Sequence, residues 1–324
     1  MLLPTSVRTG MSRRAVLASL SLGALTLVTA SNACRSNNQP RVFGLAANGI
    51  DDAAVKQAEA TADSLGKRLD VLTVYDAFAR QAPLPTELLD RITASGAVPL
   101  MTWEPWNPTD GATQPLYSAA QIAGGRYDAY VATWAKQAAA YNRHCLIRFA
   151  HEMNGNWYPW SVGQSDATPE DYVAAYRRVR RIFDDSGATQ VRWVWSPNVI
   201  INGNTDVISR CYPGDDYVDI IGVDGYNFGD DPGHRWRSPS DLFGPTLKFV
   251  ANLAHRKPLW ITEVGCSDRG GDKAAWITDL LKLLESTNTE GLIWFEADKT
   301  GEPDWRLRSS TQTSAAAEQA LSTW

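Results

Sequence analysis

"LIRFAHEMNGNWYPW", residues 146–160, joins a short apolar run to a polar and aromatic loop. The run extends over 145–150, and its continuous apolar character is typical of a strand covered on both faces of a parallel sheet. His151 and Glu152 follow it directly, so a carboxylate stands at the carboxyl end of this strand.

Seven similar apolar runs occur along the chain, separated by segments with helical periodicity. This alternation, continued over residues 41–324, predicts an α/β protein with a single (β/α)8 barrel. An open, doubly wound sheet is the alternative, but no glycine-rich phosphate-binding loop follows the first run. The predicted strands are 41–47, 69–78, 97–106, 145–150, 191–198, 217–227, 258–265 and 291–298.

Polar side chains stand at the carboxyl ends of these strands, which in this fold share one face and carry the chemistry. Glu152 after the fourth strand and Glu263 on the seventh are therefore predicted to converge at one mouth. The full set of these polar residues is Asn48, Asp76, Glu104, His151, Glu152, Asn198, Asp224, Glu263 and Glu296.

Two converging carboxylates indicate glycoside hydrolysis, in which one protonates the leaving oxygen and the other attacks the anomeric carbon or activates water. Aromatic side chains beside them support this prediction, because their rings stack on the flat faces of sugars. The alternative is that the rings fill the core and the glutamates form structural ion pairs. The aromatic candidates for substrate binding are Trp103, Trp106, Trp157, Trp160 and Trp294.

The segments "RFAHEMNGNWYPW" (148–160) and "WITEVG" (260–265) resemble the acid/base and nucleophile segments of glycoside hydrolase family 26. The resemblance covers about residues 41–324. It implies that Glu152 is the acid/base and Glu263 the nucleophile. It also implies that His151 binds sugar or supports the acid, that Trp157 stacks on a sugar, and that Tyr226 hydrogen-bonds the nucleophile.

Other polar residues are predicted to shape the same mouth. Arg148 has the strand parity of Glu152 and is predicted to lie beneath it as a supporting charge. Glu104, in "TWEPW", departs from the family pattern, and Glu104 and Asn198 are candidates for binding sugar hydroxyls. Extra acidic groups such as Glu104 and Glu296 are expected to raise the pKa of the acid by repulsion.

The resemblance implies a retaining endo-β-glycanase that hydrolyses a β-1,4-linked polysaccharide, with β-mannan as the first candidate. The spread of aromatic residues favours an open groove and internal cleavage. Alternatives are a mixed-linkage β-glucanase, a β-1,3-xylanase, a hydrolase that trims the bacterium's own exopolysaccharide, and a non-catalytic polysaccharide-binding barrel.

The amino-terminal residues have the layout of a bacterial signal peptide. Ser12-Arg13-Arg14 precedes an apolar run over 15–30, which predicts a twin-arginine signal at 1–33. An uncleaved anchor is the alternative, and Cys34 is a candidate for lipid attachment. Residues 34–40 form a short polar tether, so the protein is expected to be secreted or held on the outer face of the cell envelope.

Charge and composition limit the partners. The chain has 31 basic and 36 acidic side chains, a net charge of −5, which argues against nucleic acid and against a membrane partner other than through lipid at Cys34. No cofactor or metal is predicted, because the four histidines lack ligand spacing. Cys145, Cys211 and Cys266 are expected to be free, buried thiols, and the protein is expected to be a monomer.

Overall fold

The structure, a computed structural model, describes residues 41–46, 49, 51–203, 205–254 and 256–324. The predicted signal peptide, the tether with Cys34, and Asn48 lie outside the described residues. No helix in the described ranges is long and apolar enough to cross a membrane.

Eight parallel strands form a closed barrel in sequence order, with β8 paired to β1. The predicted (β/α)8 barrel is therefore confirmed, and each predicted strand overlaps an observed one. The strands are β1 Val42–Ala46, β2 Val71–Ala77, β3 Val98–Glu104, β4 Cys145–Phe149, β5 Val191–Trp195, β6 Ile220–Asn227, β7 Leu259–Cys266 and β8 Gly291–Phe295.

At least one helix follows each strand, and the helices cover the outside of the barrel. They are α1 Asp52–Ser64, α2 Thr86–Ala94, α3 Ala119–Ala123, α4 Asp128–Tyr141, α5 Pro169–Asp185, α6 Thr205–Arg210, α7 Pro239–Leu253, α8 Lys273–Ser286 and α9 Thr311–Leu321.

The sequence of α5 shows why these helices form where they do. Thr168 caps the helix in a reciprocal capping box with Asp171, and Pro169 occupies the first turn, where its missing N–H costs nothing. Tyr172, Tyr176, Val179 and Phe183 recur at helical spacing and are buried. The resulting apolar stripe packs the helix against the barrel.

Strand alternation divides the buried residues into two layers. On β3, Leu100 belongs to the cluster that fills the barrel interior, whereas Met101 and Trp103 belong to the larger cluster between barrel and helices. Trp103 stacks on Trp134 of α4, with ring centroids 4.2 Å apart. The upper interior is left for polar side chains such as Thr102 and Arg148.

β7 carries an irregularity where the site forms. Val223 of β6 pairs with Ile261, but the next residue, Asp224, pairs with Glu263, so Thr262 is the extra residue of a bulge. The Thr262 hydroxyl donates to Asp224 at 2.7 Å, and Glu263 also faces the interior groups. The bulge thus turns two consecutive side chains toward the mouth.

Cys145, Cys211 and Cys266 are free and buried, as predicted. Burial raises the pKa of the Cys145 and Cys266 thiols to about 12. These thiols are therefore protonated at neutral pH and contribute to packing rather than to nucleophilic chemistry.

Candidate active site

Glu263 projects from the β7 bulge into the barrel mouth and is 7% exposed. Its carboxylate accepts hydrogen bonds from the Tyr75 hydroxyl at 2.8 Å, from Arg148 Nη2 at 2.5 Å and from the Tyr226 hydroxyl. Three donors on a single buried carboxylate favour its ionised form and hold its plane in one orientation.

Arg148 is fully buried at the centre of the barrel. It donates to Thr102 Oγ1 at 3.0 Å, to Asp224 Oδ1 at 2.9 Å and to Glu263 Oε2 at 2.5 Å. The carboxylates that Arg148 contacts are thus Asp224 and Glu263, and its predicted position beneath Glu152 stays a prediction. Strand parity stops at Phe149, where β4 ends, so it says nothing about the side chain of Glu152.

Glu152 stands on a left-handed turn rather than at a strand end. Its φ is 55°, and its N–H donates to the Ser196 carbonyl at 2.7 Å. Its carboxyl accepts from Asn198 Nδ2 at 2.8 Å and from Trp157 Nε1 at 2.6 Å. The Trp157 ring lies against Gly155, where an added Cβ would be 2.5 Å from it, so a glycine is needed there.

Asn154, within the quoted motif, joins the β4 loop to the end of β5. Its Oδ1 accepts from the backbone N–H of Asn198 at 2.8 Å, and its Nδ2 donates to the Asn198 carbonyl at 2.9 Å. This reciprocal pair fixes Asn198, which in turn hydrogen-bonds Glu152. The amide motif therefore serves to position Glu152.

The two glutamates have opposite ionisation preferences. Burial raises the pKa of Glu152 to about 8, and repulsion from Asp224 and Glu263 adds to it. Burial alone would raise the pKa of Glu263, but the positive charge of Arg148 and the hydrogen bonds from Arg148 and Tyr226 together hold that pKa well below the ordinary range. At neutral pH the pair is thus one protonated and one ionised carboxyl group, the division of labour that acid and nucleophile require.

The expected cause of the raised pKa at Glu152 needs correction. Burial is the main cause, and the acidic neighbours that contribute are Asp224 and Glu263 rather than Glu104 or Glu296. Burial raises the pKa of Glu104 itself to about 8. One oxygen of Glu296 accepts from the Leu307 N–H at 2.8 Å, which ties it to the chain that follows β8.

His151 is buried under the aromatic loop. Its Nε2 lies 3.3 Å from the Tyr158 hydroxyl, and its carbonyl accepts from Trp160 Nε1 at 2.7 Å. Burial and the nearby Arg148 lower the pKa of His151 to about 3, so the ring is neutral. Trp106 is half-buried and meets Tyr158 edge to face at 5.0 Å.

Three of the predicted sugar-stacking tryptophans are placed elsewhere. Trp103, Trp160 and Trp294 are each 0% exposed, so none offers a ring face to a substrate and these three predictions are wrong. Trp103 and Trp294 alternate with inward-facing neighbours on β3 and β8 and therefore point outward to the helices. Trp157 is 38% exposed, and its stacking role, with that of Trp106, stays a prediction.

We expect Trp103→Ala to lower the free energy of unfolding by about 3–5 kcal/mol, because it removes a buried ring stacked on Trp134. The KM for polysaccharide should not change below the melting transition. Trp157→Ala is the matched control, with a stability change below about 1 kcal/mol and a raised KM. Urea denaturation measures the stability of both variants, and steady-state kinetics measure their KM. A raised KM in Trp103→Ala with unchanged stability would show that Trp103 binds sugar after all.

Two further residues complete the arrangement and were not among the predicted site residues. Tyr75 of β2 donates to Glu263, and Asp224 of β6 pairs with Arg148. The signal for Tyr75 is its parity with Val71 and Thr73, which face the barrel interior. Asp224 was noted as a polar strand end, but its pairing with Arg148 of β4 is a contact across the barrel that the sequence does not show.

Among the described residues, one group of side chains has ligand atoms close enough together to hold a metal ion. The ligand atoms of His151, Glu152 and Asp224 lie within 4.8 Å of one another. Both oxygens of Glu152 already accept hydrogen bonds, and Asp224 is paired with Arg148, so these groups are engaged with protein partners. The prediction that the site uses no metal stays a prediction.

The chain is similar in sequence to known proteins. The sequence model described as "Glycosyl hydrolase family 26" matches residues 119–253. Endoglucanase H of Acetivibrio thermocellus is 33% identical over 262 residues, which cover 79% of this chain and 28% of that protein. A mannan endo-1,4-beta-mannosidase of Bacillus subtilis is 29% identical over 158 residues, 47% of this chain and 39% of that protein.

The chain thus spans well under half the length of these curated relatives. Among solved structures, the catalytic domain of an endo-beta-1,4-mannanase from Bacillus sp. JAMB-750 superposes with a TM-score of 0.67 at 17% identity. The match covers 88% of this chain and 86% of that one, and it shows a shared fold. The family model, the sequence identity and the two glutamate segments agree, and the chain belongs to glycosyl hydrolase family 26.

Proposed function

We propose that this protein is a retaining endo-β-glycanase in which Glu263 is the nucleophile and Glu152 the acid/base. The observation that carries the proposal is that the two buried glutamates of one mouth have different partners. Glu263 is paired with the buried Arg148, whereas Glu152 accepts hydrogen bonds from the uncharged Asn198 and Trp157. Hydrogen bonds from Tyr75, Tyr226 and Arg148 keep Glu263 negative. Burial keeps Glu152 protonated.

In the first step the Glu263 carboxylate attacks the anomeric carbon as the glycosidic C–O bond breaks. Glu152 gives its proton to the departing oxygen, so the leaving chain departs as a neutral alcohol. Asn198 and Trp157 hydrogen-bond the Glu152 carboxyl and stabilise the carboxylate that forms as the proton leaves. The product is a glycosyl ester of Glu263.

In the second step Glu152, now ionised, removes a proton from water as the water oxygen attacks the anomeric carbon. The ester bond to Glu263 breaks, and Arg148 and the two tyrosines receive the returning negative charge. Two inversions at the same carbon give net retention of configuration.

A β-1,4-linked polysaccharide is the proposed substrate, with β-mannan as the first candidate because a similar relative is named a mannan endo-1,4-beta-mannosidase. β-Glucan is the second candidate, favoured by the 79% of this chain that aligns with a protein named Endoglucanase H. The argument for internal cleavage from the spread of tryptophans is weaker than predicted, since only Trp106 and Trp157 of the five remain partly exposed. The names of the two relatives, an endoglucanase and an endo-mannosidase, support internal cleavage instead.

We expect cleavage with retention, because the Glu263 carboxylate attacks the anomeric carbon directly in the proposed mechanism. The carboxyl groups of Glu152 and Glu263 should then lie about 5–5.5 Å apart. Proton NMR of the first-formed product from mannan or barley β-glucan should show the β anomer before mutarotation. Chromatography in the same reactions should show mixed oligosaccharides early. First-formed α anomer would contradict the role of Glu263, and steady release of one monosaccharide would contradict internal cleavage.

A further inference from the structure

A second cavity opens beside the two glutamates, between the loops that follow β5 and β6. This basic cavity has a volume of about 470 Å³ and is lined by Tyr226, Phe228, His234, Arg235 and Arg237 together with residues 200–202. Tyr226 belongs to both places, because its hydroxyl also donates to Glu263. A ligand in the cavity would therefore lie next to the cleavage point.

The charge of this cavity is unlike that of its surroundings. The chain as a whole carries a net charge of −5, and the adjoining mouth contains Glu104, Glu152, Asp224 and Glu263. The basic cavity instead brings together two arginines and a histidine within four residues of sequence.

Neither guanidinium group forms an ion pair within 4 Å in the described part of the chain, although the Asp241 charge acts on Arg237 from farther away. Arg237 donates to the backbone carbonyl of Asp241, not to its side chain, and Arg235 is exposed. Burial, together with the adjacent positive charge of Arg235, lowers the pKa of Arg237. The cavity therefore holds positive charge that an anionic ligand would neutralise.

The walls of the cavity suit a sugar ring. Phe228 stacks on His234 with ring centroids 4.3 Å apart, and Tyr226 packs beside Phe228 at 5.9 Å. Aromatic rings offer the flat apolar surface on which pyranose rings stack, while the planar guanidinium group matches a carboxylate with two parallel hydrogen bonds.

We propose that the basic cavity binds a uronic acid unit of the polysaccharide chain, with Arg235 and Arg237 facing its carboxylate. The inference rests on the proposed function, since the chain must run through the adjoining mouth to place a sugar there. It narrows the substrate class to β-linked chains that carry acidic sugars near the cleaved bond.

The kinetic test compares one backbone with and without carboxylates. Two polymers are used, barley β-glucan and glucomannan. Each is tested untreated and after selective oxidation of part of its C6 hydroxymethyl groups to carboxylates, which converts those sugars to uronic acids. We expect wild-type enzyme to show a higher kcat/KM on the oxidised polymer. The preference is the kcat/KM on the oxidised polymer divided by the kcat/KM on the neutral polymer. In Arg235→Gln this ratio should fall about fivefold, which is the largest effect usually found for an exposed ion pair.

Arg181→Gln is the matched control, because Arg181 is an exposed arginine on the outer face of α5. It removes the same charge, and its ratio should equal that of the wild type. A wild-type enzyme with no preference for the oxidised polymer, or an Arg235→Gln ratio equal to that of Arg181→Gln, overturns the inference.

A binding measurement separates this inference from the proposed function. In native gels that contain neutral or oxidised β-glucan, a protein that binds the polymer migrates more slowly. This measures binding without hydrolysis. Stronger retardation of wild type by the oxidised polymer, reduced in Arg235→Gln but not in Arg181→Gln, supports the basic cavity even if neither polymer is hydrolysed. Equal retardation of all three proteins overturns it, whatever their hydrolytic activity.

Discussion

Glu263→Ala is expected to lower turnover of every substrate by roughly 10⁴-fold or more, since it removes the group that attacks the anomeric carbon in the proposed mechanism. The side chain is buried, accepts three hydrogen bonds and has a pKa held well below the ordinary range by Arg148 and Tyr226. Activity is measured on polysaccharide and on an activated aryl glycoside. Thermal unfolding checks that the variant remains folded, because Arg148 loses a buried partner.

Azide gives this prediction a second readout. In Glu263→Ala it can enter the space left by the carboxylate and attack the anomeric carbon, while Glu152 still protonates the leaving oxygen. The product should be the α-glycosyl azide, of inverted configuration. Glu296→Gln is the control, since Glu296 is also buried near the mouth but hydrogen-bonds the Leu307 backbone, and it should retain activity. Substantial turnover by Glu263→Ala without azide would remove Glu263 from the role of nucleophile.

Glu152→Ala is expected to slow polysaccharide hydrolysis by about 10²–10⁴-fold, the usual contribution of a positioned general acid. Formation of the glycosyl-enzyme from aryl glycosides with good leaving groups should be affected least, because those groups depart without a proton. Pre-steady-state release of the aryl group separates this step from the slow second one. Equal losses for both substrate types would count against Glu152 as the acid.

The pH profile follows from the same residue. The folded pKa of Glu152 is raised to about 8, so the required proton is present at neutral pH and is lost as the pH rises through that value. kcat/KM of the wild type should therefore fall on the alkaline side near pH 8, and the fall should be absent from Glu152→Ala on activated substrates. Glu104→Gln is the matched control, because burial raises the pKa of Glu104 to a similar value. An alkaline limb that disappears in Glu104→Gln would assign the titration to Glu104 instead.

Strand positions were predictable because each buried strand is a local feature of the sequence. The predicted run 145–150 became β4 Cys145–Phe149, and the run 258–265 became β7 Leu259–Cys266. The convergence of Glu152 and Glu263 then followed from the shared carboxyl face of barrel strands. The resemblance of segments 148–160 and 260–265 to glycoside hydrolase family 26 predicted the same pair of glutamates.

The directions of several side chains at the strand ends were not predicted. Trp103 was expected at the mouth, but it alternates with Glu104 and points to α4. Arg148 was expected under Glu152 from strand parity, which ends at the left-handed turn at Ala150 and Glu152, and the pairing of Arg148 with Glu263 was not predicted. No signal in the sequence marks the bulge that places Thr262 and Glu263 on the same face.

The sequence by itself determined the (β/α)8 barrel and the order of its strands, and it pointed to Glu152 and Glu263 as the candidate pair, because apolar periodicity and motif residues are local along the chain. Only the tertiary structure decided which glutamate is ionised. That choice depends on donors from β2, β4 and β6, namely Tyr75, Arg148 and Tyr226, which meet Glu263 across the barrel. Electrostatic interaction depends on distance in space and on burial, and the linear sequence contains neither quantity.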